Sequence, residues 1–264
     1  MLFLVQWLEL DLRSPHHEFL PKTKQDKEEL AKSLNVELKL VESRIHHLEE
    51  MNPMLGHRGC RLGITYPEVY LMQTEAIMLA ACQVAKEGIK VHPEIMIPLI
   101  FSDSEFRLLK DDIKQTVDRI LAEEKVMIQV KIGTMIEIPR AALVADKIAL
   151  EAEFFSFGTN DLTQTALGIS RDDSGKFLPD YMAKNILGHD PFVTIDQEGV
   201  GQLVSMANDK GRMSNPQLHV GVCGEHGGDP KSVEFFHRAG LDYVSCSPFR
   251  VPLARLAAAQ AALR

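Results

Sequence analysis

From Asn52 to its C-terminus the chain alternates short apolar segments with longer amphipathic ones. The apolar segments predict strands at 93–100, 127–138, 153–157, 217–223 and 242–246. The amphipathic segments predict helices at 67–87, 103–122, 140–149, 196–211, 230–239 and 251–263. Strands that are separated by helices of this length are joined by crossovers and pair in parallel. The pattern therefore predicts an α/β fold.

A (β/α)8 TIM-type barrel is the α/β fold that we expect, since 264 residues are enough for one. Residues 52–61 resemble a further strand end, and residues 2–10 resemble an apolar strand at the N-terminus. This count is one strand short of a barrel, so we expect the first strand to be missing. We divide the chain into residues 1–21, a remnant of an early barrel strand, residues 22–51, a helical insertion with two amphipathic helices, and residues 52–264, the barrel.

Charge and cysteine usage narrow the class of protein. The net charge is −8, and no basic stripe is present, so nucleic acid is not expected as a partner. The four cysteines show no C-x-x-C spacing, which disfavours a zinc site and a disulfide framework and fits a reducing compartment. The apolar run at residues 1–8 is too short to span a membrane. We expect a cytoplasmic protein without a membrane partner, with an organelle such as a plastid as the alternative.

Two carboxylates follow neighbouring predicted strands. Asp161 comes just after the apolar run Phe154–Phe157, and Glu137 ends the strand before it. The carboxyl ends of parallel strands lie at one edge of the sheet, where α/β proteins place their chemistry. Two like charges in one small volume need a cation, and Mg²⁺ suits two carboxylates. Taken singly, Glu137 also fits a surface position near a helix N-terminus, and Asp161 fits an Asx turn or a helix cap.

A cysteine marks the third strand end. Cys223 leads from a predicted strand directly into the glycine-rich turn Gly224–Asp229. Backbone N–H groups in such a turn favour a thiolate, so Cys223 is a candidate general acid or base. An inert core cysteine is the alternative, and it is the interpretation that we prefer for Cys82 and Cys246.

Three arginines are candidates for binding an anion. Arg58 and Arg61 lie beside glycines in the segment 52–61, and arginine binds phosphate or carboxylate in a bidentate way. For Arg58 alone, an exposed loop position is the simpler interpretation. Arg171 follows Asp161 by ten residues and either reaches the same anion or pairs with Asp172. A metal ion, arginines and a thiol together suit a small anionic substrate that reacts through an enolate.

Five ordered motifs also resemble a known family, the pyruvate, phosphate dikinases, in their C-terminal phosphoenolpyruvate/pyruvate-binding domain. The motifs are 52–61, 133–140, 157–164, 221–230 and 242–252, and the resemblance runs from about His17 to the C-terminus. Phosphoenolpyruvate synthase and enzyme I of the sugar phosphotransferase system share the core motifs. The run 221–230, the run 170–173 and Glu94 favour the dikinases.

The resemblance implies a phosphotransferase domain that binds phosphoenolpyruvate (PEP) or pyruvate with Mg²⁺ and interconverts them. It implies that Glu137 and Asp161 hold Mg²⁺ and that Cys223 protonates C3 of the enolpyruvate. The substrate contacts that it implies are Arg61, Arg58, Gly158, Thr159 and Asn160. We also expect Glu137, Asp161 and Arg171 among the substrate-binding residues. It further implies a homodimer and two partner domains absent from this chain, one with a phosphohistidine and one that binds ATP.

The N-terminus departs from the family pattern. Family members carry a substrate-binding arginine at the place of Leu10, and the family's upstream domains have no counterpart here. An alternative to a working phosphotransferase domain is therefore a catalytically silent fragment that acts as a dimerisation or interaction module. The intact Glu137, Asp161, Asn160 and Cys223 favour a working site.

Overall fold

Helices and strands alternate along most of the chain in the computed structural model, which describes residues 20–48 and 55–264. In chain order the elements are α1 (Lys24–Leu34), α2 (Leu38–Leu48), α3 (Cys60–Thr65), α4 (Pro67–Lys86), β1 (Glu94–Ile97), α5 (Asp103–Glu124), β2 (Lys131–Ile136), α6 (Pro139–Leu143), α7 (Ala145–Ile148), β3 (Phe154–Gly158), α8 (Thr159–Leu167), α9 (Leu178–Ala183), α10 (Val200–Ser214), β4 (His219–Cys223), α11 (Pro230–Arg238), β5 (Tyr243–Val244) and α12 (Val251–Ala262).

Side-chain caps define where α1, α5 and α11 begin. The Ser102 hydroxyl accepts a hydrogen bond from the Glu105 N–H, and the Glu105 carboxylate accepts one from the Ser102 N–H, which forms a capping box at the start of α5. Thr23 and Asp26 form the same motif at the start of α1. Asp229 caps α11 by accepting from the Ser232 N–H at 2.9 Å.

The five strands form one parallel sheet in the order β1-β2-β3-β4-β5. Ile136 pairs with Phe157, and Gly158 pairs with Cys223. Because all of the strands run in the same direction, their carboxyl ends lie along one edge. That edge brings together the segments that follow β1, β2, β3 and β4.

The two faces of the sheet pack differently. Alternate residues such as Ile132, Phe155 and Val220 join the main core against the helices. The residues between them form a second cluster on the opposite face, which consists of Met96, Met135, Phe154 and Cys223. Large rings on this second face are accommodated by glycine: a Cβ at Gly133 would overlap Phe154, and one at Gly221 would overlap Tyr243.

The predicted order of elements is confirmed over most of the chain. All five predicted strands from residue 93 onward are present, and α1 and α2 confirm the helical pair in 22–51, with Ala31, Val41 and Ile45 packed between them. Sequence patterns missed α3, α8 and α9. The strand predicted at 2–10 and the substitution at Leu10 lie outside the described residues. The boundaries 1–21, 22–51 and 52–264 stay predictions.

Two details of the predicted barrel differ from the structure. Residues 55–61 do not form a strand end, because the chain turns at Gly56 and enters α3 at Cys60. The described part of the sheet is also not closed, since β1 and β5 are its outermost strands and do not pair with each other. The observed architecture is therefore an α/β fold with an open parallel sheet of five strands. Within residues 20–48 and 55–264, no helix is both long and apolar enough to cross a membrane.

Gly221→Ala is expected to destabilise the protein. The new methyl group would overlap the fully buried ring of Tyr243, and overpacking of this kind costs about 1–3 kcal/mol. Gly175→Ala is the matched control, because its Cβ would meet no atom within 4 Å. Urea unfolding measures the stability of both variants. Equal stability of the two would contradict the close packing of rings against glycines on the second face of the sheet.

Candidate functional site

Glu137 is a buried carboxylate held between two strand ends. It follows β2 directly, is 2% exposed, and its Oε1 accepts a hydrogen bond from the Leu99 N–H at 2.7 Å. Leu99 lies just beyond β1 in a left-handed conformation, with φ of 60°. Gly158, at the end of β3, is a second neighbour of Glu137: a Cβ at Gly158 would lie 2.6 Å from Glu137 Oε2. Only glycine leaves room for the carboxylate at this position.

Asp161 is paired with a buried arginine. Its Oδ1 lies 2.8 Å from Nη2 of Arg58, and the side chains are 14% and 4% exposed. The Gln164 amide also donates to Oδ1, at 3.0 Å. Within the described residues, no group donates a hydrogen bond to Oδ2. The carboxylate therefore retains one oxygen that a ligand can use.

Arg58 is held by the turn that carries it. The next residue, Gly59, has φ of 57° and packs against Leu99. Cys60 donates its N–H to the Pro98 carbonyl at 3.2 Å and its thiol to the Leu99 carbonyl at 3.2 Å. The sequence-based preference for an exposed Arg58 is thus wrong, because the turn docks on the loop after β1 and buries the guanidinium.

Asn160 carries a buried oxygen that has no hydrogen-bond partner in the described part of the chain. This oxygen, Oδ1, belongs to the first turn of α8. The side chain faces Gly224, where φ is 100° and a Cβ would lie 3.4 Å from the amide. An unsatisfied buried amide oxygen costs about 1–3 kcal/mol. The oxygen lies between the ends of β3 and β4, where a donor group or a cation would offset this cost.

Cys223 lies on the second face of the sheet, at the end of β4. It is 8% exposed, pairs with Gly158 across the sheet, and its thiol lies 3.7 Å from the Phe157 carbonyl. Cys82 and Cys246 lie on the other side of the sheet, in or against the main core. Cys82 is a fully buried residue of α4, where burial raises the pKa of its thiol, and Cys246 is half-buried.

Thr159, the first residue of α8, contacts a histidine that our sequence reasoning missed. Its Oγ1 lies 2.7 Å from Nδ1 of His226, and the other ring nitrogen, Nε2, lies 2.9 Å from the Pro191 carbonyl. Burial lowers the pKa of His226 below the usual range for histidine, which favours the neutral ring. The signal was present, since His226 stands among the glycines that follow Cys223, but the sequence does not reveal burial.

The remaining arginines lie further out. Arg61 is half-buried, and its Nη1 donates to the carbonyls of Leu55 and Gly56 at 2.6 and 2.8 Å, so it braces the turn that carries Arg58. Arg171 is exposed and pairs with Glu225 at 3.7 Å rather than with Asp172. Sequence reasoning did not single out Glu225 or its second partner, Arg250, which lies 3.5 Å away.

The structure thus brings the predicted residues to one edge of the sheet. Glu137 follows β2, Gly158 and Cys223 are the last residues of β3 and β4, and the first turn of α8 supplies Thr159, Asn160 and Asp161. Arg58 enters from the turn before α3. No group of three or more histidine, cysteine, aspartate or glutamate side chains that could hold a metal ion occurs in residues 20–48 and 55–264. Any ion here would depend on the two carboxylates and on oxygens of a ligand.

Comparison with known proteins gives consistent matches along the chain. A model of the family described as PEP-utilising enzyme, PEP-binding domain, matches residues 14–263. Pyruvate, phosphate dikinase of Clostridium symbiosum is 58% identical over 253 residues, which are 96% of this chain and 29% of that protein. Pyruvate, phosphate dikinase 1, chloroplastic, of Arabidopsis thaliana is 60% identical over 251 residues, or 94% of this chain and 26% of that protein.

A bacterial relative from another lineage gives the same result. Pyruvate, phosphate dikinase of Rickettsia bellii is 54% identical over 254 residues, which are 96% of this chain and 29% of that protein. The chain therefore spans less than a third of the length of these relatives.

Arg58→Met is expected to destabilise the fold by about 3 kcal/mol, because it leaves the largely buried Asp161 carboxylate without its cation. Arg119→Met is the control: its pairs with Glu75 and Glu123 are about half exposed, and such pairs contribute at most about 1 kcal/mol. Denaturant unfolding compares the two variants. A loss at Arg58 no larger than the loss at Arg119 would show that the buried pair does not hold the turn.

Proposed function

The chain belongs to the PEP-utilising enzyme family, in which it corresponds to the PEP-binding domain, and on this premise we propose that it binds PEP and pyruvate at the carboxyl ends of β2, β3 and β4. We propose that it acts there as a phosphotransferase domain and interconverts the two molecules through an enolate. The observation that carries the proposal is the convergence of Glu137, Asp161 and Cys223 on one edge of the sheet. The buried Arg58 supplies positive charge beside it.

The residues at this edge fit Mg²⁺. Mg²⁺ is commonly held by one or two carboxylates together with waters and substrate oxygens. Glu137 and Asp161 are the two carboxylates, and the unpaired amide oxygen of Asn160 adds a neutral oxygen next to Asp161. When bound, Mg²⁺ would supply positive charge that stabilises the developing enolate. The small number of protein ligands leaves room for the substrate's own oxygens.

Cationic and N–H groups would bind the carboxylate and phosphate of PEP. Arg58 approaches from the turn before α3, Arg61 lies in the first turn of α3, and Arg171 is paired with Glu225 in the turn after β4. Gly158 and Thr159 lie at the start of α8, a helix of nine residues whose first N–H groups point to the strand ends. Arg61 would exchange its bonds to backbone carbonyls for bonds to the phosphoryl group.

Cys223 would move the proton at C3. In the direction of pyruvate, the phosphoryl group leaves the enol oxygen for a histidine nitrogen on a separate domain, and the electron pair of the broken O–P bond remains on the enolate. The Cys223 S–H then donates its proton to C3, and the thiolate is reprotonated before the next cycle. In the reverse direction the thiolate removes a proton from pyruvate C3. Burial of Cys223 at 8% exposure limits competition from water.

A complete barrel and further domains would surround this site. We propose that the five parallel strands are consecutive members of a (β/α)8 barrel. The packing of Phe154 against Gly133 and of Tyr243 against Gly221, on the second face of the sheet, supports this architecture. The partners would be a phosphohistidine domain, an ATP-binding domain and a second copy of the chain in a homodimer. A cytoplasmic location, or a plastid as in the name of the Arabidopsis relative, completes it.

Calorimetric titration with PEP, with and without Mg²⁺, tests the binding site. Glu137→Gln and Asp161→Asn are each expected to weaken Mg²⁺-dependent binding by more than about 100-fold, because changes in the outer shell of a metal site alone cost roughly 10–100-fold. Asp118→Asn is the control, since this carboxylate is 60% exposed on α5. Mg²⁺-dependent binding retained by both site variants would refute the assignment. No binding by the folded wild-type chain would favour the interaction-module alternative.

Exchange of the C3 protons of pyruvate with deuterated solvent, followed by NMR in the presence of Mg²⁺, tests the thiol. Cys223→Ser is expected to bind pyruvate as the wild type does but to slow the exchange by about 10²–10⁴-fold, which is the usual contribution of a general acid–base group. Cys246→Ser, at a half-buried cysteine outside the site, should exchange at the wild-type rate. An unchanged rate in Cys223→Ser would remove Cys223 from this role.

A further inference from the structure

We propose that His226 is a positioning residue for this site: its imidazole accepts a hydrogen bond from the Thr159 hydroxyl and so fixes the first turn of α8 relative to Cys223. The inference rests on the proposed function where it concerns PEP and pyruvate. The hydrogen bonds themselves stand independently of it. His226 does not reach the reacting atoms in this account.

The imidazole joins three separate segments of the chain. It lies in the 3-10 helix Glu225–Gly228, and it is 0% exposed. Nδ1 contacts Thr159 Oγ1 at 2.7 Å, 67 residues away along the chain, and Nε2 contacts the Pro191 carbonyl at 2.9 Å, 35 residues away. Both ring nitrogens are therefore engaged with groups outside the segment that carries the ring.

The turn that carries His226 is packed closely on both sides. A Cβ at Gly227 would overlap the Ser245 carbonyl, and one at Gly228 would overlap the Arg250 side chain. No side chain can be added at either position without displacing its neighbour. The backbone of the turn is thus packed against its neighbours on both sides, and the ring that it carries is fully buried.

The two contacts determine the tautomer. The Pro191 carbonyl can only accept a hydrogen bond, so Nε2 carries the proton. In the neutral ring, Nδ1 is then an acceptor, and the Thr159 hydroxyl must donate to it. Burial has the largest effect on the pKa of the ring and favours its neutral form. The hydrogen bond to the Pro191 carbonyl and the charges of Asp229 and Glu225 oppose this effect, and Arg171 reinforces it.

The Thr159 hydroxyl has a second possible acceptor. Its Oγ1 lies 3.3 Å from the Cys223 carbonyl, which is longer than the 2.7 Å to His226. One hydroxyl proton cannot serve both acceptors well. Without the acceptor at Nδ1, the hydroxyl would turn to the Cys223 carbonyl, at the residue that carries the thiol. His226 therefore controls how the start of α8 is attached to the end of β4.

The hydrogen bond between Thr159 and His226 affects the positions of the next two residues of α8. Thr159 is the first residue of α8, and Asn160 and Asp161 follow it directly. A change in the side-chain anchor of Thr159 would displace the unpaired Asn160 oxygen and the Asp161 carboxylate relative to Cys223. Binding and proton transfer need these groups in register within a fraction of an ångström.

Two substitutions separate the two ring contacts. His226→Asn places an amide oxygen near the position of Nδ1, where it can accept from Thr159, but it does not reach Pro191. His226→Gln extends an amide N–H toward the Pro191 carbonyl but offers Thr159 no well-placed acceptor. Both substitutions remove the ring from the same buried volume, so the comparison between them cancels much of the general cost of the cavity.

We expect His226→Asn to retain PEP affinity and the pyruvate exchange rate far better than His226→Gln. His226→Gln should lose about 10–100-fold in one or both, as is usual when a supporting hydrogen bond in a site is removed. Thr159→Val should lose PEP affinity and exchange rate to the same extent as His226→Gln. The double variant Thr159→Val/His226→Gln should lose no more than either of these single variants. Equal losses in the Asn and Gln variants, or additive losses in the double variant, would overturn the inference.

Two NMR measurements decide the inference without PEP. The ¹⁵N shifts of the His226 ring should show a proton on Nε2 and none on Nδ1 in the wild type at neutral pH. The backbone amides of Asn160 and Asp161 should exchange with solvent faster in His226→Gln than in His226→Asn. A proton on Nδ1, or equal exchange in the two variants, refutes the positioning role. Failure of the wild type to bind PEP, with these signatures present, refutes the proposed function instead.

Discussion

The ion pair between Arg58 and Asp161 is the interaction on which the site depends. It joins residues that are 103 positions apart in the chain and links the turn before α3 to the first turn of α8. Removing two charges from water is costly, and the cost is recovered only with good geometry and further hydrogen bonds. Gln164 supplies such a bond to the carboxylate, and Gly59 and Cys60 fix the turn that carries the guanidinium. Among residues 20–48 and 55–264, both donors to this carboxylate bond to Oδ1, so Oδ2 accepts no hydrogen bond from them.

The second constraint is the space at the ends of the strands. Glu137 is buried where a side chain at Gly158 would collide with its carboxylate, and its orientation requires Leu99 in a left-handed conformation. Non-glycine residues adopt this conformation only at a cost of about 1–3 kcal/mol. Asn160 likewise faces Gly224, which also has positive φ. Glycines and a left-handed turn thus lie against Glu137 and Asn160, which leaves little room for these two side chains to move.

Sequence reasoning recovered the order of strands and helices because hydrophobic periodicity carries that information. It also placed Glu137, Asp161 and Cys223 on one edge, because the topology of parallel sheets requires it. It failed where the outcome depends on contacts between distant segments. Burial of Arg58 requires the docking of its turn on Pro98 and Leu99, and the role of His226 requires contact with Thr159 and Pro191. Neither contact leaves a periodic signal. Closure of the sheet into a barrel is also a property of the whole chain rather than of any one segment.

The most direct test of the central claim is to map the ligand on an isotopically labelled chain by two-dimensional NMR, with PEP and Mg²⁺ added together. The account predicts that the amide shifts change at Leu99, at residues 158–161 and at Gly224, all beyond the carboxyl ends of the strands. The opposite edge, at Glu94, Lys131 and His219, should be unaffected. Shifts concentrated at that opposite edge, or spread over the helical surface, would contradict the claim that the carboxyl edge of the sheet is the binding site.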